Sequence, residues 1–318
     1  MRAVRYHEYG DPSVLAVETV DRPEPRGEEV LVAVAAAAVN PVDTYFRTGA
    51  YTPTGLPMTP GADLAGTVTA VGPAVTRFAP GDRVFGTGLG KDRQGTYAEY
   101  ALAPADHLAQ LPETVSPTEG AASALVGVTA WRALIDHADL SLGETCLVHG
   151  GAGGVGHVAV QIAAQAGAEV IATARPAHHD RLRTLGADHV FDYGREDLPE
   201  AVRGVASPDV ILDHRLDEYL QFDAAVAEVG TRVVGIGNTV PAAGFEDVAA
   251  ARSKDLSIVL MSMFNTPSFA TVLADLAAML EAGDLDPVVA QKYALTDAAD
   301  AQRAVLDESF LGKLVVEP

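Results

Sequence analysis

Apolar residues in the first 120 positions come in short runs. Residues 30–34 (Val-Leu-Val-Ala-Val) and 67–71 (Thr-Val-Thr-Ala-Val) have strand character. They are separated by Gly61, Gly66, Gly72, Gly81 and Gly86 and by Pro23, Pro25, Pro41, Pro53, Pro57, Pro60 and Pro80. That punctuation predicts an irregular all-β unit. Around Pro117 the pattern changes. Residues 123–137 carry apolar positions at helical spacing, and regular alternation of strand and helix follows. Strands are predicted at 145–148, 169–173, 189–191, 209–212, 231–234 and 256–260. Six strands alternating with helices imply an open, mostly parallel, doubly wound sheet. Residues 269–280 read as an amphipathic helix, and 312–316 as a strand returning to the first domain. The expectation is an α/β chain. Residues 1–122 form a β-rich domain, 123–264 a nucleotide-type domain, and 265–318 a segment returning to the first.

Chemistry enters after the strand at 145–148. Gly151, Gly153 and Gly156 have G-x-G-x-x-G spacing, with Gly154 and Val155 opening an alanine-rich helix that runs to Gly167. Such glycines let the backbone turn sharply and approach a pyrophosphate, which then lies at the helix's positive end. The second strand, 169–173, completes a β-α-β unit and predicts dinucleotide binding. NAD sites place an acid at the end of that strand to hold the ribose 2′-hydroxyl. Here the chain reads Ala174-Arg175-Pro176 and continues through His178, His179 and Arg181, four potentially cationic residues within seven positions. A guanidinium binds a 2′-phosphate by charge-assisted hydrogen bonds, so NADPH is the expected cofactor. Gly235-Ile236-Gly237-Asn238 ends the fifth strand with a glycine-rich turn suited to passing the nicotinamide.

Composition narrows the remaining classes. Acids outnumber bases 43 to 22 over 318 residues, a net charge of −21, and Lys91, Lys254, Lys292 and Lys313 are the lysines. The acids are dispersed rather than gathered in a tail, which argues against an interaction arm. Phosphate repulsion argues against nucleic acid as a partner. A dispersed acidic surface with little lysine suits a protein adapted to high salt. Cys146 stands alone, excluding a disulfide within the chain and multi-cysteine zinc sites. No apolar run is long enough to span a bilayer, and no secretory pattern opens the sequence, so a cytoplasmic enzyme is expected.

Several segments together resemble the zeta-crystallin-like quinone oxidoreductases, a branch of the medium-chain dehydrogenases and reductases. They are residues 39–45 (Val-Asn-Pro-Val-Asp-Thr-Tyr), 60–66 (Pro-Gly-Ala-Asp-Leu-Ala-Gly), 95–100 (Gly-Thr-Tyr-Ala-Glu-Tyr), 128–134 (Val-Thr-Ala-Trp-Arg-Ala-Leu), 151–156 and the closing Gly312-Lys313 strand. The match runs in order through essentially the whole chain. It implies a GroES-like catalytic domain and a Rossmann domain. It also places Asn40, Ala62 and Leu125 where zinc-dependent relatives hold their catalytic metal, and none is a normal zinc ligand. The implied enzyme is zinc-free. The resemblance puts Asn40, Tyr45 and Tyr51 at the active site as hydrogen-bond donors to a substrate oxygen. It puts Thr129 near the nicotinamide and Tyr193 near the adenosine phosphate. One departure stands out: relatives commonly carry a glycine pair after Leu212-Asp213, where this chain has His214-Arg215.

The implied activity is NADPH-dependent hydride transfer to a quinone or related α,β-unsaturated carbonyl, by a homodimer. Reduction of an enal, enone or enoyl-thioester double bond would use the same donors. A nucleotide-binding protein with little turnover is the reading from a different class.

Overall fold

The glycine- and proline-punctuated first third forms strands in the computed structural model, which describes residues 1–318. β1 (Arg2–Arg5) and β2 (Ala16–Thr19) make a separate antiparallel pair. β3 (Glu29–Ala38), almost entirely Val, Leu and Ala, is buried along most of its length. It can be so apolar because it is paired on both sides, by β4 (Leu64–Val71) and by β6 (Tyr100–Pro104). Gly66 of β4 lies opposite Val34, and a Cβ there would sit 2.0 Å from the Ala33 carbonyl oxygen. β5 (Arg83–Gly86) and β7 (Leu108–Gln110) extend the sheet beyond β4. Val30, Val32, Leu64, Val84, Tyr97 and Leu108 fill its core.

The first third is not all β. α1 (Pro41–Thr48) interrupts it between β3 and β4. Pro41 occupies the first helical position, where its missing N–H costs nothing. The Asp43 carboxylate reaches back to accept the Asn40 N–H at 2.9 Å. Gly49 ends the helix in the left-handed region at φ +78°. Prolines that look like loop punctuation are here a helix start. α2 (Pro117–Trp131) follows β7 and runs on as a π-helical turn over Arg132–His137.

The chain divides into two compact units. One comprises Met1–Val128, Pro267–Gly283 and Pro287–Pro318, the other Thr129–Thr266 and Asp284–Asp286. In the second unit the order is β8 (Thr145–Val148), α3 (Gly154–Gln165), β9 (Glu169–Thr173), α4 (His179–Thr184), β10 (His189–Phe191), α5 (Leu198–Arg203), β11 (Val210–Asp213), α6 (Leu216–Val226), β12 (Arg232–Gly235), α7 (Val248–Arg252) and β13 (Ser257–Leu260). All six strands are parallel, in the order β10-β9-β8-β11-β12-β13. This is the Rossmann arrangement, whose strand order reverses between β8 and β11. Both of those strands are buried throughout, as the continuous runs Thr-Cys-Leu-Val and Val-Ile-Leu-Asp require. β13 is an edge, with Ile258 and Leu260 exposed.

The chain then returns to the first unit through α8 (Phe269–Ala282), β14 (Val289–Ala294), α9 (Ala298–Asp307) and β15 (Lys313–Glu317). β15 lies between β14 and β3, with Val315 opposite Ala38, so the last strand completes the GroES-like sheet. No helix is long and apolar enough to cross a membrane.

Candidate functional site

In the second unit the glycine-rich turn between β8 and α3 has the build of an anion cradle. Gly150 adopts φ +62°, and its N–H donates to Thr173 Oγ1 at 3.1 Å. The Gly151 N–H donates to the Thr173 carbonyl at 2.8 Å, tying the turn to the end of β9. A Cβ on Gly156 would stand 2.2 Å from the Gly150 carbonyl oxygen, so only glycine lets the helix begin this close to the strand. Gly153 caps α3 without a side chain, its own N–H donating to the Gly150 carbonyl at 2.8 Å, and leaves first-turn amides open from Gly154 and Val155 onward, near the surface.

The end of β9 carries the basic residues. Arg175 is exposed, and its Nε donates to the Tyr193 hydroxyl at 2.6 Å. Arg181 and Arg195 are tied to Asp286 and Asp197, whereas Arg175 has no carboxylate partner. His178 is half-buried at the start of α4, and His179 is anchored to the Ala174 carbonyl at 2.9 Å. Gly237 follows β12, packed so closely that a Cβ would meet the His214 carbonyl oxygen at 2.6 Å. Asn238 beside it donates to the Val240 carbonyl. Thr129 is buried near the end of α2. Glycine turn, exposed cation and open helix start together suit a phosphorylated dinucleotide.

In the first unit Tyr45, on α1, and Tyr51, just beyond it, meet edge to face at 5.5 Å. Both are substantially exposed, and neither hydroxyl has a protein hydrogen-bond partner. Burial of part of the ring pushes the Tyr45 phenol above its ordinary range, so it stays a donor at neutral pH.

Asn40 is arranged differently from the free amide donor expected of it. It is 2% exposed. Its side-chain oxygen accepts from Lys313 Nζ at 2.6 Å, and its amide nitrogen donates to Asp63 at 2.7 Å and to the Ala38 carbonyl at 3.4 Å. Lys313 also donates to the Val39 carbonyl, and Asp63 accepts the Leu125 N–H at 2.9 Å. Asp43 accepts from Asn40 N and, at 3.1 Å, from the Tyr97 hydroxyl. Burial pushes the Asp63 carboxyl up and the Lys313 ammonium down, each opposed by the other's charge. Burial also raises Asp43 to about 7, with the Asp63 charge adding to it. Asn40 thus sits inside a charged network that fixes the start of the helix carrying Tyr45.

Lys313, Asp63, Asp43 and Tyr97 were not expected at the site. The available signal was a lysine inside the apolar run Leu311-Gly312-Lys313-Leu314-Val315 and an acid inside Gly61-Ala62-Asp63-Leu64. The donor set does not fit zinc. Ala62 and Leu125 offer no side-chain donor atom, and the Asn40 amide is committed.

The alcohol dehydrogenase GroES-like domain family matches residues 26–113, and the zinc-binding dehydrogenase family matches residues 185–316. The chain is 36% identical to the human quinone oxidoreductase over 99% of its own length and 97% of that protein's. It is 33% identical to the Pseudomonas aeruginosa quinone oxidoreductase, covering 100% and 99%. The solved structure of Escherichia coli quinone oxidoreductase complexed with NADPH superposes with a TM-score of 0.90 at 28% identity, over 100% of both chains. That of an NAD-dependent alcohol dehydrogenase gives 0.92 at 34% identity, again over 100% of both. The chain therefore belongs to the quinone oxidoreductase family of the medium-chain dehydrogenases and reductases, and it is an oxidoreductase.

Proposed function

We propose that this oxidoreductase binds NADPH and reduces a quinone or related α,β-unsaturated carbonyl without zinc. The observation that carries the reading is the exposed Arg175 guanidinium, held by Tyr193 at the end of β9 where an NADH site has an acid. Bound NADPH would supply the hydride. The open amides of Gly154, Val155 and Gly156 would hold its pyrophosphate, in the turn that Gly151 and Gly153 shape, and Arg175 with His178 its 2′-phosphate. Thr129, Gly237 and Asn238 would line the nicotinamide end. Tyr45 and Tyr51 carry unpaired hydroxyls, suited to donating to the acceptor oxygen as negative charge develops on it. Asn40 acts through them as a positioning residue, because its amide is committed to Asp63 and Lys313. The exposed apolar edge of β13 suits pairing with a second copy, giving a homodimer. A cytoplasmic location belongs to the same reading.

Calorimetric titration of NADPH and NADH, followed by NADPH oxidation with quinones, enones and enoyl thioesters in EDTA, tests it. NADPH should bind at least about tenfold more tightly than NADH, and Arg175→Ala should remove that preference. Equal binding by the unmutated protein refutes the cofactor assignment. Turnover of enones or thioesters but not quinones selects the double-bond reductase. No turnover with any acceptor leaves a binding protein.

A further inference from the structure

Two carboxylic acids and an imidazole are buried together at the switch point, where β8 and β11 end at the root of the glycine-rich turn. His149 directly precedes Gly150, and its N–H donates to the Leu212 carbonyl across the two strands at 3.1 Å. The His149 ring stacks on Tyr219 at 4.5 Å, and its Nε2 lies 2.8 Å from Asp223 Oδ1. The neighbouring Asp213 accepts the Arg215 N–H through Oδ1 at 2.7 Å. Asp213 and Asp223 are both fully buried. Their remaining oxygens, Oδ2 of each, have no donor, and the two carboxyl groups lie close enough that each acts on the other's protonation.

Two ionised carboxylates cannot rest in this arrangement. Each only accepts, so both Oδ2 atoms would be orphaned in a dry interior against a like charge. No cation offsets them, since the Arg215 guanidinium is paired with Glu218. One proton between the two Oδ2 atoms satisfies both. We infer that Asp213 and Asp223 share a proton, and that this proton couples dinucleotide binding at the glycine-rich turn to pH.

Burial and the second carboxylate push Asp213 up to about 7, and burial pushes Asp223 up to about 8. The groups facing the pair are His149, just after β8, the Arg215 backbone after β11, and Tyr219 of α6; His214 lies against His149 and Arg215, and Glu218 and Tyr193 lie against Tyr219. Burial lowers His149 and His214 to about 4, so both are neutral throughout the window. Glu218 and Arg215 are paired with each other, and burial raises Tyr219, which stays neutral. Near pH 7 the pair therefore holds one negative charge, and above its titration two. The second charge appears beside the turn that, on the reading proposed above, holds the pyrophosphate. A second buried negative charge beneath a bound phosphate opposes binding, and a coupling of about 1.4 kcal/mol would weaken it roughly tenfold.

Two measurements keep the shared proton and its coupling apart. Asp223→Asn is the key variant: its Oδ1 still accepts from His149 and its Nδ2 supplies Asp213 with a permanent N–H. Asp213→Asn does the same from the other side should the first variant fail to fold. Infrared spectra of the cofactor-free protein should show, in the difference between wild type and Asp223→Asn, an extra protonated carboxyl band at pH 6.5 that is lost by pH 9; the contribution of the buried Asp43 is common to both and cancels. Calorimetry with NADPH should show the wild-type Kd rising about tenfold from pH 7 to 9, with proton uptake on binding, and the variant's Kd staying flat. The cofactor's own 2′-phosphate titrates near pH 6 and lies outside this window. A wild type without the extra band overturns the shared proton, and parallel wild-type and variant slopes overturn the coupling. A band present in a protein that binds no NADPH at any pH overturns the dinucleotide reading and the coupling, while the shared proton stands.

Discussion

Replacing Lys313 by Met should cost the first unit far more than a surface lysine would. Lys313 is 3% exposed, and its ammonium is bonded to the Val39 carbonyl and to Asn40, which in turn holds Asp63. Without it, Asp63 is an uncompensated buried charge, a situation that costs about 3–5 kcal/mol. For a unit of roughly 150–250 residues each kcal/mol moves the thermal midpoint by about 2–4 °C, so a fall of about 6–20 °C is expected. Urea unfolding at pH 7 followed by far-ultraviolet circular dichroism gives the free energy directly. Because the pair is buried, the loss should be the same in 0.1 M and 2 M KCl. Adding Asp63→Asn should recover much of it. Freed of Lys313, the Asn40 amide can turn its oxygen toward the side-chain nitrogen that this second substitution introduces, while the amide oxygen introduced with it keeps the Leu125 N–H. A loss below about 1 kcal/mol for Lys313→Met, or a double variant weaker than the single, would refute the charged-network account.

Gly156→Ala places a methyl 2.2 Å from the Gly150 carbonyl, so NADPH affinity should fall at least about tenfold in a folded protein, and unchanged calorimetry would contradict the cradle. Tyr45→Phe and Tyr51→Phe should each lower turnover by about 10- to 100-fold while leaving NADPH affinity alone; full turnover in both variants would remove them from the site. Thermal stability should rise as KCl goes from dilute to molar, because screening shortens the reach of the −21 net charge from about 10 Å at 0.1 M to about 3 Å at 1 M. Sucrose serves as the uncharged control, and a flat or falling midpoint in KCl would deny the salt adaptation.

The second unit was legible in the sequence because β8, β9 and β10 are local apolar runs, and their ends fall where the pattern places them. β11 runs one residue further than expected, since its last position, Asp213, reads as a polar turn yet is buried. α1 was hidden by Pro41 and Gly49, which mark its ends and look like loop residues in isolation. The charged network was out of reach for another reason. Lys313 bonds to Asn40 across 273 residues, and His149 meets Asp223 across 74. Periodicity reports only neighbours a few residues apart. A buried charge in the sequence announces that it needs a partner without saying which.

The placement of β15 bears on how the molecule is made. Ribosomal synthesis releases the chain from its N-terminus, and domains usually fold in that order. Here the sheet of the first unit stays open until Lys313–Glu317 enters between β14 and β3. The second unit, whose six strands lie within Thr129–Thr266, has every strand it needs well before that. The nascent chain therefore carries an unfinished N-terminal sheet past a domain that can already close. Its opening strands wait for its closing one, and they present an unpaired apolar stretch of β3 to chaperones and neighbouring chains until Lys313–Glu317 has been made.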